Sequence, residues 1–157
     1  MRKSPEHSFG RHDGALFNSL LDTNVLSEAL RPVPDPGVMA WLAAQPRTAL
    51  FTTTVTRAEI LYGLHLLPDG SRKSVLSAAV DAVFMEDFAG RLLSFDSDAA
   101  DAYARIAVAR KKVGRPISQF DAMIAACARS RGAVLATRNV KDFAGCEIAV
   151  IDPWAVS

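Results

Sequence analysis

The sequence predicts an α/β fold, a three-layer α/β/α sandwich around a mostly parallel sheet. Three observations point there. Short apolar runs with strand composition alternate with longer amphipathic segments along the whole chain. Proline and glycine clusters punctuate those segments. The first apolar run ends in an acid, Leu20-Leu21-Asp22, and the polar pair Thr23-Asn24 at once opens a helical pattern. That is how a buried parallel strand hands over to a crossover helix.

Taken in order, the first strand draws on Ala15-Leu16-Phe17 and Leu20-Leu21 and ends at Asp22, with Thr23 or Asn24 as the expected helix cap. Arg31-Pro32-Val33-Pro34-Asp35-Pro36-Gly37 stops that helix, and Val38 to Gln45 forms a short one with Trp41 and Leu42. Thr48 to Thr53 has strand composition. Thr56 opens a helix whose Ile60, Leu61, Leu64 and Leu67 share a face, and Pro68-Asp69-Gly70 turns the chain. Ser74 to Phe88 reads as one long amphipathic helix with Val75, Leu76, Ala79, Val83 and Phe84 inward. A short strand at Leu92 to Phe95 precedes a helix from Ser97 to Val113, which Gly114-Arg115-Pro116 breaks. Ser118 starts a helix rich in small residues, able to lie close to a sheet, and Gly132 ends it. Strands at Ala133 to Ala136 and Ile148 to Ile151 flank a polar turn or short helix, Thr137 to Phe143.

The 157 residues suit a single domain, residues 15–157, with a disordered N-terminal extension over residues 1–14, which are polar and lack the apolar middle of a signal peptide. Half the residues are hydrophobic and the net charge is +1, which describes a globular protein and excludes a polycation, so nucleic-acid binding must come from a local patch. Cys127 and Cys146 lack metal-site spacing and read as reduced thiols of a cytoplasmic protein. The scattered His7, His12 and His65 argue against zinc and a His-based triad. No apolar run approaches the ~20 residues of a membrane span.

Four acids share one context, just past a strand or in a first helical turn: Asp22, Glu59, Asp121 and Asp142. Singly, each has an ordinary explanation. Asp22 is a preferred cap residue, Thr56-x-x-Glu59 and Ser118-x-x-Asp121 follow the capping-box pattern, and Asp142 suits a solvated helix end. Together they point elsewhere, because strand ends of a parallel sheet lie along one edge, where ligands bind. Two carboxylates ~4 Å apart repel by roughly 4 kcal/mol at an effective dielectric of 20. Several of them need protons or a cation, and an all-oxygen set suits Mg²⁺ or Mn²⁺. Such ions bind phosphate oxygens and activate water, the chemistry of a metal-dependent nuclease.

Charge distribution agrees. Between Arg105 and Lys141 the charged residues are Arg105, Arg110, Lys111, Lys112, Arg115, Arg129, Arg131, Arg138 and Lys141, against the single acid Asp121. Solvated helix faces account for such a run equally well, but a phosphodiester backbone needs it. Arg138 and Lys141, beside Asp142, are the foremost candidates for RNA phosphate contacts, with Arg115 and Lys112 next. Phe120 and Phe143 are expected in the core rather than as base-stacking platforms.

Four blocks carry a family resemblance: Leu20-Leu21-Asp22-Thr23-Asn24-Val25-Leu26-Ser27-Glu28, Thr56-Arg57-Ala58-Glu59-Ile60-Leu61-Tyr62-Gly63, Phe120-Asp121-Ala122-Met123-Ile124-Ala125-Ala126, and Leu135-Ala136-Thr137-Arg138-Asn139-Val140-Lys141-Asp142-Phe143. In this order and spacing they closely resemble the PIN-domain toxins of the VapC type, especially the FitB-like branch, over about Leu16 to Trp154. The resemblance implies a Mg²⁺- or Mn²⁺-dependent endoribonuclease, the toxin of a type II toxin–antitoxin pair. It implies a homodimer held inactive by a cognate antitoxin whose tail occupies the active-site groove. Asp22, Glu59 and Asp121 match the metal-binding acids. Many members carry an acid where this chain has Asn139, so Asp142 or the Asn139 carbonyl completes the site. Phe17-Asn18-Ser19 is more polar than the family's usual first strand.

Two other readings compete. A catalytically inactive PIN scaffold that binds RNA or a protein partner has no use for four clustered acids. A phospho-receiver domain needs an acid pair at the first strand and a Lys after the last, whereas Asp22 has Thr23 and Asn24 beside it and Ile151 is followed by Asp152-Pro153-Trp154.

Overall fold

The computed structural model describes residues 17–156. The expected extension over residues 1–14 and the start of the first apolar run lie outside them. Five strands form one sheet: β1 (Ser19–Leu21), β2 (Leu50–Thr53), β3 (Leu92–Leu93), β4 (Val134–Ala136) and β5 (Val150–Ile151). Their spatial order is β3-β2-β1-β4-β5, and every pairing is parallel. The helices are α1 (Thr23–Ala29), α2 (Pro36–Ala44), α3 (Thr54–Leu66), α4 (Ser71–Ala82), α5 (Ser97–Lys112) and α6 (Gln119–Arg131).

Strand alternation builds the layers. Leu20 and Leu135 point to one face, where they join Ile106 of α5 and Ile124 of α6. Their neighbours Leu21 and Ala136 point to the other, against Val25 of α1, Val38 of α2 and Val80 of α4. The central strands β1 and β4 are thus buried on both faces, so each reads as an apolar run. Fully burying a Leu such as Leu20 or Leu135 stabilises by about 2 kcal/mol.

Several sequence expectations need correction. The strands are shorter than their apolar runs, and β1 begins only at Ser19. The cap of α1 is Asp22 itself, whose carboxylate accepts from the Thr23 amide, rather than Thr23 or Asn24. The long helix from Ser74 instead starts at Ser71, and a π-helical turn, Val83–Asp87, follows α4. Val75 is 72% exposed and Ala79 is exposed, while Leu76, Val80 and Phe84 face inward. Val75 and Ala79 each lie one position off the inward face, which Leu76, Val80 and Phe84 set at a spacing of four. Gly132 closes α6 at φ 65°, a left-handed conformation that favours glycine. Among the described residues no helix is long and apolar enough to cross a membrane.

Candidate active site at the carboxyl edge of the sheet

Register puts the first acid in place. β1 and β4 pair Leu21 with Ala136, so the next residues, Asp22 and Thr137, stand side by side beyond the strand ends. The Asp22 amide donates to the Ala136 carbonyl at 2.9 Å, and the Thr137 hydroxyl donates to Asp22 Oδ2 at 2.8 Å. The other carboxylate oxygen, Oδ1, accepts from the Thr23 amide at 2.8 Å. Asn24 Nδ2 donates to Asp22 Oδ2 at 3.3 Å and lies 3.1 Å from Thr137 Oγ1. Asp22 is therefore fixed by three neighbours and only 4% exposed.

Glu59 reaches the same rim from α3. Thr53 caps that helix by accepting from the Thr56 amide at 3.0 Å, so the capping box expected between Thr56 and Glu59 does not form. With the helix starting one turn earlier, Glu59 is beyond reach of the cap. It accepts instead from the Thr23 hydroxyl at 2.8 Å, and Thr23 Oγ1 lies 3.1 Å from Thr56 Oγ1. Asp121 enters from the first turn of α6. Ser118 does cap there, its hydroxyl accepting from the Asp121 amide at 3.2 Å.

The acids sense one another. Burial pushes the Asp22 carboxyl up to about 6, eased by its Thr137 and Thr23 hydrogen bonds and reinforced by the charges of Asp121 and Glu59. Burial also raises Glu59, with Thr23 opposing and Asp121 adding to the rise. Asp121 is raised by burial, relieved by Ser118, raised further by Asp142 and relieved by Arg110. Among the described residues none of these four acids forms an ion pair. Nor do any three His, Cys, Asp or Glu side chains there form a ready cluster for an ion. The expected convergence is thus looser than contact: each acid leans on a hydroxyl or on solvent, as uncompensated carboxylates must.

The fourth position resolves into two different placements. Asn139 is exposed, its amide donating to Thr137 Oγ1 at 3.1 Å. Asp142 is exposed in a 3₁₀ turn, Val140–Phe143, and its charge acts on Asp121. That turn is pinned by Arg110, which is buried and donates to the carbonyls of Asp142 at 2.7 Å, Ala144 at 3.0 Å and Arg115 at 2.7 Å. Of the basic candidates, Arg138 adjoins Asp22 most directly, since its amide donates to Asn24 Oδ1 at 3.3 Å. Lys141 is exposed on the 3₁₀ turn. Lys112, the last residue of α5, and Arg115, just beyond it, are also exposed, and the Arg115 carbonyl shares Arg110 with the Asp142 turn. Phe143 is buried as expected, but Phe120 is 52% exposed, next to Asp121.

Sequence reading passed over Thr137, Asn24 and Thr23 as site-building residues. The signal for Thr137 was available: it follows β4 as Asp22 follows β1. An apolar cleft of about 680 Å³ opens beside Glu59, lined among others by Thr23, Ile60, Leu64, Leu76 and Val80.

A parallel sheet in this order, with acids from β1, α3 and α6 at one edge, matches a known domain. The family model described as PIN domain matches residues 19–145. The chain belongs to the PIN-domain family. Within that family it is similar to "Toxin FitB" of Neisseria gonorrhoeae, 39% identical over 86% of this chain and 97% of the relative. It is also similar to "VapC ribonuclease Y4jK" of Sinorhizobium fredii, 36% identical over 86% of this chain and 96% of that one. A solved structure of FitAB bound to an IR36 DNA fragment superposes with a TM-score of 0.83 at 38% identity, covering 88% of this chain and 97% of that one. The PIN fold and the resemblance to VapC and FitB toxins hold.

Proposed function

We propose that this PIN domain is a divalent-metal-dependent endoribonuclease and the toxin of a toxin–antitoxin pair. The observation that carries the reading is Asp22: a buried carboxylate, hydrogen-bonded on both oxygens, with no ion pair among the described residues and two further acids within electrostatic range. Burying such a charge unpaired is costly unless something arrives to neutralise it. The all-oxygen donor set fits Mg²⁺ or Mn²⁺, and Mg²⁺ keeps several waters and needs only one or two carboxylates, so a preassembled cage is not required.

Asp22, Glu59 and Asp121 would hold the ion, with Asp142, or Asn139 through its carbonyl, completing the shell. When bound, the ion supplies charge stabilisation at the scissile phosphate and lowers the pKa of water. The chain's own residues do the rest. Thr137 and Asn24 aim the Asp22 carboxylate. Thr23 orients Glu59, which is placed to accept a proton. Arg138 and Lys141 offer positive charge to the RNA backbone at the same rim, and Arg115 and Lys112 extend it.

The partner names fit this chain too. The cleft beside Glu59 would receive a segment of the cognate antitoxin, closing the site, and a homodimer in the cytoplasm is the expected state. The test is cleavage of RNA by purified protein in Mg²⁺. Cleavage should stop with EDTA and with Asp22→Asn or Asp121→Asn, while circular dichroism stays native. Equal rates for wild type and both variants would overturn the assignment and favour the inactive scaffold.

A further inference from the structure

Arg138 differs from the other basic residues at the rim in how it is held. Its guanidinium carbon lies 5.1 Å from the centre of the Trp154 ring. Among the described residues it forms no ion pair and no side-chain hydrogen bond. Its main chain is docked on Asn24, the residue that also contacts Asp22. The Trp154 indole is itself fixed. It packs against the core cluster of Leu21 and Ala136, and its amide donates to Asp152 Oδ1 at 2.9 Å. That turn directly follows β5, whose Ile151 carbonyl accepts from the Thr137 amide at 2.9 Å.

We infer that Trp154 is a positioning residue that holds the Arg138 guanidinium at the acidic rim for one phosphate of the RNA backbone. The inference rests on the nuclease reading above. An aromatic ring beneath a guanidinium holds it by cation–π attraction without using up its N–H donors. Those donors form the planar fork that matches a phosphate. An exposed arginine normally loses much rotamer freedom on binding. Here the indole has already restrained it. Among the described residues the exposed Lys141, by contrast, lies over no aromatic ring.

The test is binding of a mixed-sequence single-stranded RNA, followed by fluorescence anisotropy over a range of salt, with Ca²⁺ replacing Mg²⁺. Arg138→Ala should weaken binding and flatten the slope of log affinity against log salt by about 0.7, the value for one single-strand phosphate contact. Trp154→Leu, which keeps apolar bulk, should weaken binding about three-fold and move the slope in the same direction. Trp154→Phe should restore most of the loss. In an Arg138→Ala background, Trp154→Leu should have no further effect. Equal losses with and without Arg138, at an unchanged salt slope, would assign Trp154 to packing alone and overturn the inference. Wild-type protein that does not bind the RNA would overturn the nuclease reading and this inference together.

Discussion

Helices α3 and α6 begin with the same local pattern, a hydroxyl residue followed three positions later by an acid, yet they use it differently. In α6, Ser118 is the cap and Asp121 the third residue, as the pattern says. In α3, Thr53 caps, Thr56 lies one turn inside and is buried, and Glu59 turns to Thr23 on another helix. The pattern Thr/Ser-x-x-Asp/Glu therefore marks where a helix begins to within a turn, but not what its acid does. What separates the two is where each acid finds its hydroxyl: Glu59 accepts from Thr23 on another helix, while Asp121 leans on Ser118, the cap of its own helix, with the charges of Asp142 and Arg110 nearby.

The largest effect that would break this comparison sits on the acid between the two. Asp22→Asn should lower RNA cleavage by on the order of 10³-fold, measured as single-turnover rate in Mg²⁺. The same variant should be more stable than wild type above neutral pH. The Asp22 carboxyl is raised to about 6 from an ordinary 3.8, so between those values the folded protein holds a proton that the unfolded chain has released. Wild-type stability should accordingly fall as pH rises from about 4 to 6, by up to about 3 kcal/mol. Asp22→Asn should flatten that slope in urea melts, and Mg²⁺ should raise the melting temperature of wild type at pH 7.5 but not of the variant.

Next in size is the Glu59 side. Thr23→Val removes the hydroxyl donor to Glu59 and should cut cleavage about ten-fold with little change in melting temperature. On the α6 side, Ser118→Ala should cost about 1 kcal/mol of stability through the lost cap and leave cleavage within about two-fold. Thr53→Ala should cost a similar amount. If Thr23→Val and Ser118→Ala had the same profile, the two acids would be held alike and the contrast drawn above would be wrong.

The fold was legible in the sequence because its central strands are buried on both faces and its helices are broken by Pro and Gly, so both signals are local. Asp22, Glu59 and Asp121 were legible as acids at strand and helix ends. Their supports were not. Thr137 meets Asp22 only because β1 and β4 are neighbours in a particular register, and Thr23 meets Glu59 only because α1 and α3 pack together. The Phe120 exposure was missed for a related reason: an aromatic in an apolar run reads as core until the helix face is known. Val75 and Ala79 were read as inward for the same reason, since small or apolar residues next to Leu76 and Val80 cannot be sorted before the helix face is known.

The bond between Thr137 and Asp22 spans 115 positions of the chain. During synthesis Asp22 leaves the ribosome long before its partner is made, and β4 cannot dock until α6 has been completed. A growing polypeptide thus carries an unfinished centre through nearly all of its translation. The acidic centre is therefore complete only once the final strands have joined the sheet.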